Sequence, residues 1–421
     1  MPADKLWNRD FFLLWQGQTI SQLGNQAFSI AMMYWLMRAT GSASLMGLLM
    51  FAATLPGVLL GPFGGTFADR HSRIRIAVVC DLLSGLCILT LGFLLLDPRV
   101  QRLEPEAVRF VLGLIFGGAV LVGALRAFRQ PALGAAIPDL VPRDRIPAAN
   151  SLNQFAVQAS TLVGQAAGGV LYQALGAAVL FLLDGSSFLY AAVSALFVRV
   201  PERQAESKPV QEHPFRHFLR QTAEGFRYLG RNPGLRDFAI LASMLNFFIM
   251  PVLVLLPFYV DLYLKEDARW YGFLMAAIGG GSVVGYLLAG ILKLSGRVRR
   301  VLVLSTLLLF PVLFSVIAFV SNPFIALAIS FLNGAALGII NVYTMSLVQA
   351  STPQEVRGRV LGVLMTLSAG LTPLAMALGG VVGDLTGKNI PLIYGVCAAC
   401  SLLLTLGLGF RRDVREFLAS G

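Results

Sequence analysis

The chain has 421 residues, of which 56% are hydrophobic and only 13% charged, against about 45–50% and about 25% in ordinary soluble domains. A mean hydropathy of +0.73 together with 43 glycines excludes most soluble enzymes and points to a polytopic membrane protein. The 33 Lys+Arg outweigh 22 Asp+Glu to give +11, an excess that suits either a nucleic-acid partner or a membrane. With four Cys and three His, a disulfide framework or a multi-ligand zinc site does not fit. Cys397 and Cys400 form a CxxC inside an uninterrupted apolar run, where packing accounts for them better than redox or metal chemistry.

A membrane-crossing helix needs about 20 mostly apolar residues. Charged and Pro/Gly-rich breaks cut the chain into twelve such pieces: 11–37, 44–68, 74–96, 107–130, 150–174, 177–199, 237–263, 270–293, 299–320, 323–348, 359–383 and 388–410. The leader Met1–Asp10 carries Lys5 and Arg9; the apolar run behind it is too long for a signal peptide, so it reads as span 1. With both termini in the cytoplasm, 26 of the 33 Lys and Arg fall on the inner side, and Arg38, Arg99, Arg102, Arg109, Lys265, Arg269 and Lys388 on the outer. The positive-inside rule then sets the orientation, and the charge excess needs no nucleic acid.

The expected class is an all-α membrane protein of twelve helices in two pseudo-symmetric six-helix bundles, 1–200 and 237–421, joined by a cytoplasmic linker, 201–236. The linker ends in a basic amphipathic stretch, with Phe215, Phe218, Leu219, Thr222, Phe226 and Leu229 at helical spacing between arginines. Such a helix lies on the inner membrane face, or serves as a solvated tether between bundles. The halves echo each other: Pro142 after span 4 and Pro353 after span 10 are 211 residues apart, about half the chain, and parallel repeats meeting at a midplane cavity recur among transporters.

Between spans 2 and 3 runs Gly64-Gly65-Thr66-Phe67-Ala68-Asp69-Arg70-His71-Ser72-Arg73-Ile74-Arg75. It resembles the loop signature of the major facilitator superfamily. Glycines allow close helix approach, and Asp69 is an anion able to meet a helix N-terminus. The resemblance implies a cytoplasmic gating latch of Gly65, Asp69, Arg70 and Arg73, with Asp69 facing the eleventh span. Otherwise the arginines are only membrane anchors. A degraded copy, Gly290 to Arg300, has Leu294 in the place of the Asp, so the lock is expected to be asymmetric. Gly164-Gln-Ala-Ala-Gly168-Gly169 is similar to the glycine pattern of antiporter members, but Gln165 stands where they carry Pro; close packing explains the glycines equally. The phrases from Phe11, Ile137 and Ala148 look like the drug-efflux branch that includes macrolide and enterobactin exporters.

Polar side chains within spans are costly unless they face the bundle interior or water. Gln18, Gln22, Asn25, Gln26 and Ser29 form one stripe of span 1, either a hydrogen-bonding cavity wall or a set of interhelical bonds. Asn246 in span 7 and Asn333 and Asn341 in span 10 are added to the candidate cavity. Asp81 and Arg126 near the cytoplasmic end are assigned to the latch network. Asp184 in span 6 is either a proton-coupling group or a structural acid. Asp261 and Asp384 fall near outer ends. Pro56, Pro62, Pro131, Pro251, Pro257, Pro311 and Pro373 in or at spans can bend helices.

These features predict a secondary transporter, not an enzyme, without cofactor or metal. It is expected to export amphipathic small molecules across the inner membrane by alternating access, as a monomer exchanging protons for substrate. Its partners are the small-molecule substrate, protons and the lipid bilayer, with no nucleic acid. A siderophore or metabolite transporter is the alternative; a non-transporting receptor is the more remote one. His71, His213 and His217 all fall in loops, so no Ser–His dyad forms within a span. Gly383-Asp-Leu-Thr-Gly387-Lys388-Asn389 is one residue short of a phosphate loop, and nothing resembles a carbonyl filter.

Overall fold

The computed structural model describes residues 6–199, 214–292 and 296–419. Lys5, the linker stretch 201–213 with His213, and Leu294 with Lys293 lie outside the described residues, as do the side chains of Phe215, Arg216, His217, Phe218 and Leu219.

The described chain is helical: α1 Arg9–Thr40, α2 Ala43–Arg70, α3 Arg73–Leu94, the single turn α4 Pro98–Gln101, α5 Pro105–Leu140, α6 Ile146–Leu196, α7 Pro214–Arg231, α8 Pro233–Phe258, α9 Ala268–Ile291, α10 Gly296–Ile317, α11 Pro323–Ser351, α12 Gln354–Leu385, α13 Ile390–Leu404 and α14 Arg412–Ala419. Starts are written locally. Proline opens α5, α6, α8, α11 and α13, where a missing N–H costs nothing, and Asn322 and Asn389 cap α11 and α13 through their side-chain oxygens. Gly387, at φ 63°, follows α12 in the left-handed conformation that ends many helices.

Among the described residues, ten segments are long and apolar enough to cross a membrane. The 54-residue one, Arg143–Leu196, turns at Gly176 (φ 76°, ψ 175°) and so holds the two expected spans 150–174 and 177–199. Helix α1, 32 residues long, falls short on hydropathy because its polar stripe dilutes it. Twelve expected spans thus correspond to described helices. Val79, Leu83, Leu86 and Phe93 form one exposed stripe of α3, and Ile74, Ala77, Val78, Asp81, Ser84 and Ile88 its buried one, the pattern of a helix with one face to lipid.

The chain divides into two compact units, Met1–Thr40 with Ala52–Phe215, and Gly41–Phe51 with Arg216–Gly421. In the first, α6 packs on α1 and α3. A Cβ placed on Gly168 would stand 2.8 Å from the Ala27 Cα, and one on Gly164 2.7 Å from the Gln26 Cβ, so this glycine run brings two backbones together. In the second, α9 and α11 interlock: Cβ atoms on Gly281 and Gly334 would stand 2.0 Å from the carbonyls of Phe331 and Ile278. Lipid provides no hydrophobic drive between helices, so such close packing is what holds them.

Helix α7 has an observed partner. Gly225 lies against Arg359 and Val363 of α12, Glu224 pairs with Arg359 at 2.6 Å, and Leu229 is buried with Leu235, Phe238, Val360, Val363 and Phe417. The docked face is therefore Gly225 and Leu229. Phe226, from the same expected apolar stripe, is exposed.

Candidate functional site

Helix α1 brings its polar stripe against α3, α5 and α6, and each member meets a different fate. Gln18 enters a buried ion pair. Asp81, with no exposed surface, is bonded by the Arg129 guanidinium and by Gln18 Nε2 at 3.2 Å, while Arg129 also donates to Gln18 Oε1 at 2.5 Å and lies over the Phe188 ring. Both charges and the amide are satisfied reciprocally, the condition for keeping a charge out of water. Asp81 and Arg126, both assigned to the latch network, are not bonded to each other: Arg129, one helical turn further along α5, meets Asp81.

Arg126 instead donates to Asn25 Oδ1 at 3.0 Å, and the Asn25 amide lies beside the carboxylate of Asp184. Asp184 is fully buried. Ser187 Oγ donates to its backbone carbonyl at 2.7 Å and approaches its Oδ1 at 3.5 Å, while Oδ2 has no hydrogen-bond partner among the described residues. A Cβ on Gly24 would stand 2.6 Å from Ser187 Oγ and 3.0 Å from Asp184 Oδ1, so only glycine leaves room for the acid beside α1. Cation, amide and acid form a chain from cavity to interior.

The cavity, about 120 Å³, is lined by Gln22, Asn25, Gln26, Ser84, Arg126 and Gln130 among others. Gln26 is partly committed to α6, donating to Thr161 Oγ1 at 3.1 Å. Gln22 and Gln130 line both this cavity and a second of about 290 Å³, whose walls include Leu14, Trp15, Leu133 and Ile137. The two chambers adjoin, and the second has a mixed lining, with Gln18, Asn153 and Gln154 beside its apolar residues. The stripe thus serves both roles open from its pattern: Gln18 and Gln26 make interhelical bonds, and Gln22 faces space.

The loop residues separate as well. Arg73 donates to the Ala135 carbonyl at 2.7 Å and pairs with Asp139 at 2.5 Å, tying the start of α3 to the end of α5. Asp69 and Arg70 are exposed. The close approach is made by Gly64, whose Cβ would stand 2.0 Å from the Ala127 carbonyl, whereas Gly65 has nothing within 4 Å. In the second unit Asn246 donates to Thr372 Oγ1 at 3.4 Å. Asn333, expected at a cavity wall, is buried and its amide has no hydrogen-bond partner among the described residues; Asn341 is exposed. Cys397 and Cys400 are free thiols.

Arg129, Gln130, Asp139 and Phe188 were not singled out from sequence. Arg129 counted only toward the inner positive charge. The signal available was Arg126-Ala-Phe-Arg129, two cations one turn apart on a helix that must pair whatever it buries.

Long apolar helices and a polar cavity inside a helical unit are the features of a membrane transporter. The chain belongs to the transmembrane secretion effector family of the major facilitator superfamily, whose model matches residues 4–420. It is 23% identical over 405 residues to macrolide efflux protein A of Streptococcus pyogenes, covering 96% of this chain and 95% of that protein. It is 26% identical over 375 residues to the multidrug efflux pump Tap of Mycolicibacterium fortuitum, covering 87% of each. A mutant of the nucleoside transporter NupG, solved by crystallography, superposes with a TM-score of 0.74 at 12% identity, covering 96% of this chain and 100% of that one. The protein is a multi-pass membrane transporter of small molecules.

Proposed function

We propose that the protein exports amphipathic small molecules across the inner membrane by alternating access, as a monomer with both termini in the cytoplasm, driven by proton entry. The adjoining chambers carry this reading: Arg126, Asn25 and Gln22 offer hydrogen bonds and charge on one side, and Trp15, Leu133 and Ile137 an apolar wall on the other. A molecule with a polar face and an apolar body matches both, as ligand sites generally combine apolar walls with few convergent polar groups. The two efflux relatives support the outward direction.

Asp184 is the proposed proton carrier. Its enclosure, its Oδ2 without a hydrogen-bond partner among the described residues and its link through Asn25 to Arg126 fit an acid that changes protonation as the cavity changes access. Gly65, Asp69, Arg70 and Arg73 are proposed as the inner latch, with the Arg73–Asp139 pair and the Asp81–Arg129 pair bracing it from α5.

Flux into inside-out proteoliposomes under an imposed pH gradient tests the energetics. Wild-type uptake of the substrate should follow the gradient, and Asp184→Asn should lower gradient-driven flux at least tenfold while substrate still binds. Flux indifferent to the gradient would refute proton coupling. A panel of antibiotics and siderophores on cells with and without the gene identifies the substrate, with drug resistance conferred by the gene as the expected result.

A further inference from the structure

Helix α2 begins at Ala43, and its own side caps only the Leu45 N–H, through Ser42 Oγ. The first N–H groups of a helix need partners from elsewhere, and here they come from another helix. The Asp384 carboxylate accepts from the Ala43 N–H at 2.9 Å through Oδ1, and through Oδ2 from the Ser44 N–H at 2.9 Å and the Ser42 hydroxyl at 2.7 Å. Ser42 Oγ in turn accepts from the Leu45 N–H at 3.2 Å. An anion with charge-assisted bonds at a helix N-terminus is well placed.

Below this cap the two backbones touch. A Cβ on Gly380 would stand 2.2 Å from the Ala43 carbonyl, and one on Gly47 2.3 Å from that of Met376. The start of α2 is thus seated on α12 by small residues and sealed by one carboxylate.

For α12 itself this aspartate is badly placed. It is the next-to-last residue of its helix, where the helix dipole disfavours an anion; Lys388, at 3.7 Å, offsets part of that. Asp69 occupies the same next-to-last position in α2, equally against its own dipole, and it is exposed with no bonded partner among the described residues. Helices α2 and α12 cross the membrane in opposite senses in the proposed topology, so each carries an aspartate at the end where the other begins.

We infer that Asp384 is a gating residue: its cap on α2 is an outer clamp, the counterpart of the proposed Asp69 latch, and transport alternates between the Asp384 cap and the Asp69 cap. This rests on the alternating-access reading and the proposed orientation. The state described here holds the Asp384 cap. Opening at the outer end requires those hydrogen bonds to break and the Gly47–Gly380 crossing to part.

The test reads conformation without substrate. In a full-length chain whose four native cysteines are replaced, Gln22→Cys places one thiol at the cavity, and a membrane-impermeant maleimide labels it from outside in intact cells or from inside in inverted vesicles. Asp384→Asn should raise the outside rate on the order of tenfold and lower the inside rate, the scale of losing a charged helix cap. Asp69→Asn should shift both rates oppositely. Ser42→Ala, which removes the hydroxyl's bonds to Asp384 and Leu45 but keeps both backbone bonds to Asp384, should shift them as Asp384→Asn does but less. Rates within twofold of the parent in both Asp384→Asn and Ser42→Ala, or an Asp384→Asn shift in the same direction as Asp69→Asn, overturn the clamp. If labelling shifts as expected and no substrate is exported, the clamp stands and the export reading falls; unchanged labelling with intact export overturns the clamp alone.

Discussion

A carboxylate as enclosed as Asp81 persists inside a helical unit because a guanidinium and an amide meet it together. Removing only the cation leaves a buried charge unpaired, so Arg129→Ala should destabilise the protein by about 3–5 kcal/mol. Asp81→Asn with Arg129→Gln, which deletes both charges and keeps amides in place, should recover more than half of that loss. Thermal unfolding in detergent measures it, and an Arg129→Ala protein as stable as wild type would show that the pair contributes nothing. Asp81 and Gln18 were legible in the sequence as polar groups within spans. Their partner was not, because Arg126 and Arg129 lie one turn apart on the same side of α5, and only the seating of α5 along its axis decides which one comes level with Asp81. The same seating brings Arg126 to Asn25 and the cavity.

At the scale of elements, two adjacent glycines with the same signature behave differently. Gly64 touches α5 and Gly65 faces open space. Gly64→Ala should force α2 off α5 and cost about 1–3 kcal/mol, whereas Gly65→Ala should be neutral or slightly stabilising, since alanine favours the helix by up to about 1 kcal/mol. Melting temperatures of the two variants check the contrast; equal losses would mean that the loop, rather than the close approach, demands both glycines. Helix α7 gives a similar lesson. Its amphipathic spacing was plain, but lipid and protein reward an apolar stripe alike. Seating on α12 through Gly225 and Leu229, with the Glu224–Arg359 pair at its edge, selects which part of the stripe is covered and leaves Phe226 outside.

For the whole molecule, the proposed topology, which puts 26 cations inside and seven outside, predicts a cytoplasmic C-terminus. A fluorescent protein fused after Gly421 should fluoresce, and alkaline phosphatase at the same place should be inactive; the reverse pattern would invert the proposed topology and exchange the assignments of the Asp69 and Asp384 ends. The class and the approximate places of the spans follow from composition and from the positions of charges, proline and glycine, because a bilayer admits few ways to satisfy a backbone and each span must do so within itself. Pairing is another matter. That Arg129 rather than Arg126 meets Asp81, that Arg73 meets Asp139, and that Asp384 caps α2 across 340 residues of chain depend on helix rotation and seating, and those are set by close contacts such as Gly24, Gly64 and Gly380. A one-turn difference in position is invisible to hydropathy, yet it decides which cation pairs with Asp81 and which with Asn25.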